Sequence, residues 1–272
     1  MSKVIVKKFE SYAKTIPEIL GEAGLVEKIC SYPAYRTGRR QAGKDQKQIL
    51  IKPNLTINLP PPCTTSIELV EEVIKFCRKN SRAKIIVAEG SGGCDSEKAF
   101  GDLGFRDLAR KYKIELLDLN QAERIEKENP KALKLKKVLL PAIAFESYII
   151  NLAVLKNHSA VKMTAAMKNV FGFYLNKIFI RWPATRSFSG GWWNKSELHM
   201  YGVPESIIDL CRYIHFDFNI VDASIGQRKS EVHGQPCDPP IGKIIAGFDA
   251  HEVDQSCTPL LGLKAEEISY LE

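Results

Sequence analysis

Five short apolar runs that each end in a polar turn constrain this chain more than any other feature. They are QILIKPNL (48–55), KIIVAEG (84–90), IELLDLN (114–120), YIINLAVL (148–155) and FNIVDAS (218–224). Their apolar residues run on continuously instead of alternating, which is the pattern of strands covered on both faces. Helical stripes separate them. Pro17 to Cys30 reads as a helix with Thr15 as its candidate cap. IELVEEVIKFCRK places apolar residues 67, 69, 70, 73, 74 and 77 on one face, with Thr65 and Glu68 at capping-box spacing. EKAFGDL, FRDLARKY and VPESIIDLCRYIHF follow the same logic, TAAMKNVFGFY is helix-like, and HEVDQSCTPLLGL is a helix broken at Pro259. VIVKKF (4–9), KLKKVLLP (134–141) and KIIAGF (243–248) read as further strands.

The expected fold class is therefore α/β: a mainly parallel sheet covered by helices on both faces, with an irregular basic and aromatic insertion. A single unit over residues 1–272 is expected, with the charged connection at 121–133 as its best subdivision. Residues 173–200 would form an insertion or lid. A second candidate lid is the basic loop 33–47, with Arg36, Arg39, Arg40, Lys44 and Lys47.

Charge is unevenly placed. Lys plus Arg exceeds Asp plus Glu by 39 to 32, a net of +7. Ser147 to Ser196 contains no acid and seven bases: Lys156, Lys162, Lys168, Lys177, Arg181, Arg186 and Lys195. A one-sign stretch suggests an anion site or a positive surface, unless acids from elsewhere neutralise it in the fold. Within it, FYLNKIFIRWPATRSFSGGWWNK (173–195) interleaves aromatics with bases. Trp192 and Trp193 suit a lid tip or a homo-oligomer contact; single-stranded nucleic acid, held by stacking beside cations, ranks below both.

Ligands of open α/β sheets bind beyond the carboxyl ends of the strands, and four segments put polar groups there. Lys52-Pro53-Asn54 offers a lysine and an amide at an angle fixed by proline, or simply a strand-ending turn. Glu89 precedes Gly90-Ser91-Gly92-Gly93, whose successive amides could cradle an oxyanion, although neither a Walker loop nor G-x-G-x-x-G is present. Glu89 itself suits a general base, a metal ligand, or the partner of a lysine. Lys156-Asn157-His158-Ser159, with Lys168-Asn169 twelve residues on, is the densest group. Lysines there could hold a carboxylate or phosphate, and a desolvated one becomes a base or an amine nucleophile. Asp222 ends the fourth segment, as a metal ligand, a partner of His158 or His199, or a turn acceptor.

Metal and thiol chemistry have thinner support. The five histidines show no H-x-x-x-H or H-E-x-x-H spacing, so a divalent metal would need His158, His199, Asp222 and Glu89 to converge in space. The seven cysteines (30, 63, 77, 94, 211, 237 and 257) form no C-x-x-C pair and no ferredoxin run. Scattered and odd in number, they fit reduced thiols and a cytoplasmic protein. Cys77 and Cys211 fall on helical stripes, whereas Cys63 and Cys94 flank candidate-site loops and are the thiolate candidates. No apolar run has the roughly 18 residues a membrane span needs, and MSKVIVKKFE lacks the apolar centre of a secretory signal.

Together ILIKPNL, TTSIELVEEVI, IIVAEGSGGCDSEKAF, IINLAVLKNHSAVKMTAAMKN-x-FG and FNIVDASIG with AGFDAHEVDQ resemble the prokaryotic family called domain of unknown function 362, in the family's order over about residues 48–260. The resemblance marks Lys52, Asn54, Glu89, Gly90, Ser91, Gly92, Lys156, His158, Ser159, Lys168, Asn169, Asp222 and Asp254 as recurrent positions. Some relatives carry ferredoxin-type iron–sulfur modules; this chain lacks those cysteines. It also has QRKSEVHGQP where relatives are glycine-rich.

The reading that follows is an enzyme acting on a small carboxylated or phosphorylated molecule by acid/base chemistry, with a divalent metal as an option. Catalysis falls to His158, Lys156, Lys168 and Glu89. Binding falls to Lys52, Asn54, Gly90, Ser91, Gly92, Gly93, Asn157 and Asn169, with His158, His199 and Asp222 as the metal set. The alternatives are an iron–sulfur or metal redox protein and a nucleic-acid module using the 147–196 surface.

Overall fold

The computed structural model describes residues 4–31, 48–175 and 195–272. In chain order the elements are β1 (Ile5–Lys8), α1 (Tyr12–Glu22), α2 (Leu25–Ser31), β2 (Gln48–Pro53), α3 (Ile67–Asn80), β3 (Lys84–Glu89), α4 (Ser96–Asp102), α5 (Phe105–Tyr112) and β4 (Glu115–Asp118). Then come β5 (Arg124–Glu128), β6 (Lys137–Pro141), β7 (Tyr148–His158), β8 (Lys162–Thr164), α6 (Ser196–Met200), α7 (Val203–Tyr213), β9 (Phe218–Arg228), β10 (Gln235–Pro236), β11 (Lys243–Gly247) and α8 (Ala250–Cys257).

The main sheet runs β1-β11-β9-β7-β2-β3-β4. The five strands from β9 to β4 are parallel. β11 is antiparallel to β9, and β1 to β11; β8 and β10 add antiparallel to β7 and β9. The antiparallel edge follows from the connection: residues 229–242 contain no crossover helix, and parallel neighbours need one. From β2 the chain steps outward through β3 to β4, returns, and continues on β2's other side through β7 and β9. Strand order thus reverses between β2 and β7, the kind of crevice where open sheets bind ligands.

Consecutive strand residues feed two cores. Ile49, Ile51, Ile150, Leu152 and Ile220 pack beneath α1 to α5 with Ile16, Leu69, Val70, Phe100 and Phe105. Leu50, Ile149, Ala153, Val221 and Ile245 pack on the opposite face with Ile207 and Leu210 of α7 and Val253 of α8. Both pleat directions are buried, which is why the runs are continuously apolar.

Several local expectations shift. The first helix starts at Tyr12, where the Ser11 hydroxyl accepts the Lys14 N–H, and Thr15 instead accepts the Glu10 N–H at 3.1 Å. Gly24, at φ +70°, divides it from α2. Ser66, not Thr65, caps α3. The Thr65 hydroxyl accepts the Asn54 N–H at 2.7 Å and donates to the Leu152 carbonyl at 2.8 Å, tying β2 to β7. The helix-like TAAMKNVFGFY becomes a 3-10 helix over Met167–Phe173. Its three-residue turn stacks Lys168 on Phe171, with the ammonium 4.2 Å from the ring centroid.

The 121–133 connection contains β5, which pairs with β6 as a separate two-stranded ribbon, while the main sheet continues on either side of it. The candidate lid at 33–47 and the Trp192-Trp193 tip lie outside the described residues. The thiols of Cys63, Cys77, Cys94, Cys211, Cys237 and Cys257 are free. No helix among the described residues is long and apolar enough to cross a membrane.

Candidate functional site

Where β2 ends, Lys52 is fully buried with its ammonium 2.6 Å from Glu89 Oε1 at the end of β3. It also donates to the Pro53 carbonyl at 2.9 Å and to Asn169 Oδ1 at 3.3 Å. Burial pulls the Lys52 pKa down and the Glu89 charge opposes that. Glu89 further accepts the Gly90 N–H on Oε1 and the Leu55 N–H on Oε2, each at 2.7 Å. Pair and donors form a closed unit, so Glu89 has little capacity left for a substrate proton or a metal.

Three more lysines point to the same place. Lys156 is buried and donates only to neutral oxygens, Asn54 Oδ1 at 3.1 Å and the Cys63 carbonyl at 2.9 Å; burial lowers its pKa. Lys195 donates to Asn120 Oδ1 at 2.7 Å and to the Tyr174 carbonyl, and burial takes it down to about 7. Lys168 is partly buried and has no hydrogen-bond acceptor among the described residues. Burial first, and the nearby Lys156 charge second, lower it to about 8, with Glu231 opposing.

A cleft of about 620 Å³, its open mouth included, is lined by Lys156, Lys168, Lys195, Glu231, His199 and Thr164. Asn54, Glu89, Gly90, Gly92 and Asn169 complete much of its wall. It lies at the strand-order reversal between β2 and β7. Thr164 on β8 pairs directly with Lys156 on β7. Its hydroxyl is buried and is the one buried side-chain polar atom among the described residues without a partner. A buried, unsatisfied hydroxyl in a cleft wall calls for a ligand group.

Behind the wall four amides form a one-way relay. Asn54 Nδ2 donates to Asn169 Oδ1 at 3.0 Å, Asn169 Nδ2 to Asn151 Oδ1 at 2.7 Å, and Asn151 Nδ2 to Asn219 Oδ1 at 2.9 Å. Asn219 Nδ2 ends on the Gly247 and Phe248 carbonyls, each at 3.4 Å. The relay orients Asn54 Oδ1 toward Lys156 and Asn169 Oδ1 toward Lys52.

Other expected site residues are placed differently. His158 does not line the cleft. Its Nδ1 accepts the Ala160 N–H at 3.0 Å, and burial, then the Lys168 charge, depress it to about 3. The ring is therefore neutral with its proton on Nε2, 3.8 Å from Glu231 Oε1, and acts on the cleft only through that carboxylate. Burial raises the Glu231 pKa, but its backbone N–H, His158 and Ser159 outweigh that and the net shift is downward. Asn157 leaves the cleft as well: its side chain donates to the Lys162 carbonyl at 3.4 Å and accepts the Lys229 N–H at 3.3 Å.

The glycine-rich amides are not an open cradle. Gly90 N–H goes to Glu89, Ser91 N–H to Ser96 Oγ at 3.1 Å, and Gly93 N–H to the Thr56 carbonyl at 2.8 Å. Ser91 Oγ donates to the Leu55 carbonyl, so Ser91 and Gly93 tighten the turn without facing the cleft.

The metal set does not assemble. Asp222 turns to the face of α1, accepting from Tyr12 Oη at 2.7 Å and from the Ser224 N–H at 2.9 Å. His199 faces the cleft, edge-on to Phe171. No group of three His, Cys, Asp or Glu among the described residues could hold a metal ion. The thiolate candidates are held as thiols: burial raises Cys63 and takes Cys94 to about 11.

Of the seven bases in the acid-free stretch, Lys156, Lys168 and Lys195 converge on the cleft. Lys162 is exposed and paired with Glu267 at 3.1 Å, and Lys177, Arg181 and Arg186 lie outside the described residues. The sequence reading missed Thr164, Glu231 and Asn151 as site residues. Thr164 alone left a trace, two residues after Lys162 in a polar hairpin.

Residues 49–259 match the family model described as domain of unknown function (DUF362). The chain belongs to this family. A curated relative, the thylakoid-associated protein sll1697 of Synechocystis sp., is 24% identical over 234 residues, 81% of this chain. This DUF362 chain spans 64% of that relative's length. Among solved structures, the lactate racemase apoprotein from Thermoanaerobacterium thermosaccharolyticum aligns at TM-score 0.47 and 16% identity, over 97% of this chain and 57% of its own. A protein from Thermotoga maritima aligns at 0.43 and 11%, over 95% and 61%.

Proposed function

We propose that this DUF362 protein is an enzyme that binds a small carboxylated or phosphorylated molecule in the cleft between β2 and β7 and transfers a proton on it. One observation carries the reading. Lys156, Lys168 and Lys195 line a single cleft whose two carboxylates are Glu89, already committed to Lys52, and Glu231. An unbalanced group of cations beside an unpartnered hydroxyl is stabilised by an anion.

In this reading Lys156 is the anchor, because its acceptors are neutral and the amide relay holds it in place. Thr164 donates to the ligand. Lys168, poised at about 8, has the pKa that suits proton transfer near neutral pH. Fixed ammonium groups lower the cost of negative charge developing on the substrate. His158 positions Glu231 and does not itself exchange a substrate proton. The free thiols fit a reducing, cytoplasmic setting.

The test is calorimetric titration with inorganic phosphate, glycerol 3-phosphate, succinate and pyruvate. Saturable binding of at least one is expected, weakened about tenfold or more by Lys156→Met or Lys168→Met, as for loss of a charge-assisted contact, with circular dichroism unchanged. Failure of the whole panel to bind, or binding indifferent to both variants, would sink the proposal.

A further inference from the structure

Lys168 differs from Lys156 and Lys195, which line the cleft with it, and from Lys52 beside them in having no acceptor among the described residues. Lys52 is paired with Glu89, while Lys156 and Lys195 each donate to two oxygens. The Lys168 Nζ lies over the Phe171 ring, and no carboxylate or carbonyl takes its protons among the described residues. Its surroundings are an aromatic floor, a second ammonium and a cleft open to small molecules. An amine desolvated beside another cation is the arrangement that makes lysine a carbon nucleophile.

We infer that Lys168 is the amine nucleophile of this cleft, forming an imine with the carbonyl carbon of a small 2-oxo acid whose carboxylate is held by Lys156. The inference rests on the anion-binding reading above and names its substrate class. In the step, the neutral Nζ adds to the carbonyl carbon, and the carbonyl oxygen takes up a proton to give a carbinolamine. That hydroxyl then leaves as water, taking a second proton. Overall an ammonium and a carbonyl become a protonated imine and one water, with no oxidant or reductant required.

The remaining wall suits these proton movements. The Thr164 hydroxyl, without a partner of its own, can donate to the carbonyl oxygen. Glu231, kept ionised by its hydrogen bonds from Ser159, can take the proton that leaves Nζ. The titratable groups that share the cleft with Lys168 or feel its charge are Lys156 and His158 on β7, Lys195 and His199 at α6, Glu231 after β9 and Glu89 on β3. A pKa of about 8 leaves a useful fraction of free amine at neutral pH.

The experiment incubates the intact protein with pyruvate and sodium cyanoborohydride, which reduces an imine to a stable secondary amine, and maps the adduct by peptide mass spectrometry. Calorimetric titration with pyruvate runs in parallel. One saturable adduct at Lys168 is expected, at least about tenfold faster than with acetone, which lacks the carboxylate. Lys168→Arg should abolish it, because a guanidinium stays protonated, and Lys162→Arg should leave it intact. Its rate should rise from pH 6 toward 9 with a midpoint near 8. Adducts at Lys195, or only on exposed lysines at acetone-like rates, would overturn the inference. Pyruvate that binds without forming an adduct would also overturn it while leaving the anion cleft standing; no binding and no adduct would remove both.

Discussion

Glu89→Gln removes a negative charge from a point where three donors converge: Lys52 Nζ at 2.6 Å and the Leu55 and Gly90 N–H groups at 2.7 Å. Glutamine has the same shape but only one oxygen. Turned one way, its NH₂ faces Lys52 and the Gly90 N–H; turned the other, it faces the Leu55 N–H. Either orientation sets donor against donor. Losing one hydrogen bond to a charged group costs about 1.5–3 kcal/mol, and a buried donor left unsatisfied about 1–3 more. The sum brackets the roughly 3–5 kcal/mol found when one partner of a buried pair is removed. We expect about 4 kcal/mol from urea unfolding followed by far-ultraviolet circular dichroism at pH 7. Lys52→Met should cost a similar amount from the other side. The double variant should fall short of the two single losses combined by at least about 1 kcal/mol, because the second change strands no charge. A Glu89→Gln loss below about 1 kcal/mol, or additivity within about 0.5 kcal/mol, would refute the closed-pair argument.

Three further changes probe the same architecture. Gly172 passes the ion pair so closely that an added Cβ would lie 2.6 Å from Lys52 Nζ; Gly172→Ala should destabilise by at least about 2 kcal/mol and weaken anion binding, read by urea melts and calorimetry on one preparation. Thr164→Val removes a buried hydroxyl that has no partner, so stability should hold or rise by up to about 1 kcal/mol while anion affinity falls; a clear loss of stability would count against the open-hydroxyl reading. Burial raises Asp254 to about 7 although it accepts the Ala166 and Met167 N–H groups. A carboxyl raised in the folded state binds its proton more tightly there than in the unfolded chain. Its contribution is therefore full below about pH 4 and is lost as pH rises toward 7. Against Asp254→Asn, the wild-type advantage should shrink across pH 4–7, by at most about 1.4 kcal/mol per unit, and a pH-independent difference in unfolding free energy would contradict this.

The strands were legible because residues such as Ile49, Leu50 and Ile51 alternate between two cores and so must all be apolar. Lys52, Asn54 and Lys156 were legible because a polar side chain at the end of such a run has few places to go but the sheet edge. Asp222 was open to the same logic. It shares its pleat direction with Ile220, which packs under α1 to α5, and so it meets Tyr12 and not the cleft. Other features depend on tertiary partners with no local trace. Glu231 reaches the cleft from the loop after β9 only because β9 pairs with β7. The glycine-rich amides look available until Ser96, Thr56 and Glu89 take them. His158 reads as a proton carrier until Ala160 occupies its Nδ1.

The asparagine relay also bears on how the strands find their alignment. Lys52 on β2 lies opposite Asn151 on β7, Asn151 opposite Asn219 on β9, and Asn219 opposite Gly247 on β11. One polar row thus crosses four strands whose other central residues are mostly interchangeable aliphatics. A sheet buried on both faces gains little from its hydrophobic pattern in choosing between registers, since sliding β7 along β2 by two residues would exchange one aliphatic contact for another. It would also part Asn151 from Asn169 and Asn219 and leave buried amides facing hydrocarbon, at about 1–3 kcal/mol for each unsatisfied group. The row is thus a ruler as well as a support: the residues that hold the cleft lysines in place also single out the one strand alignment in which the cleft exists.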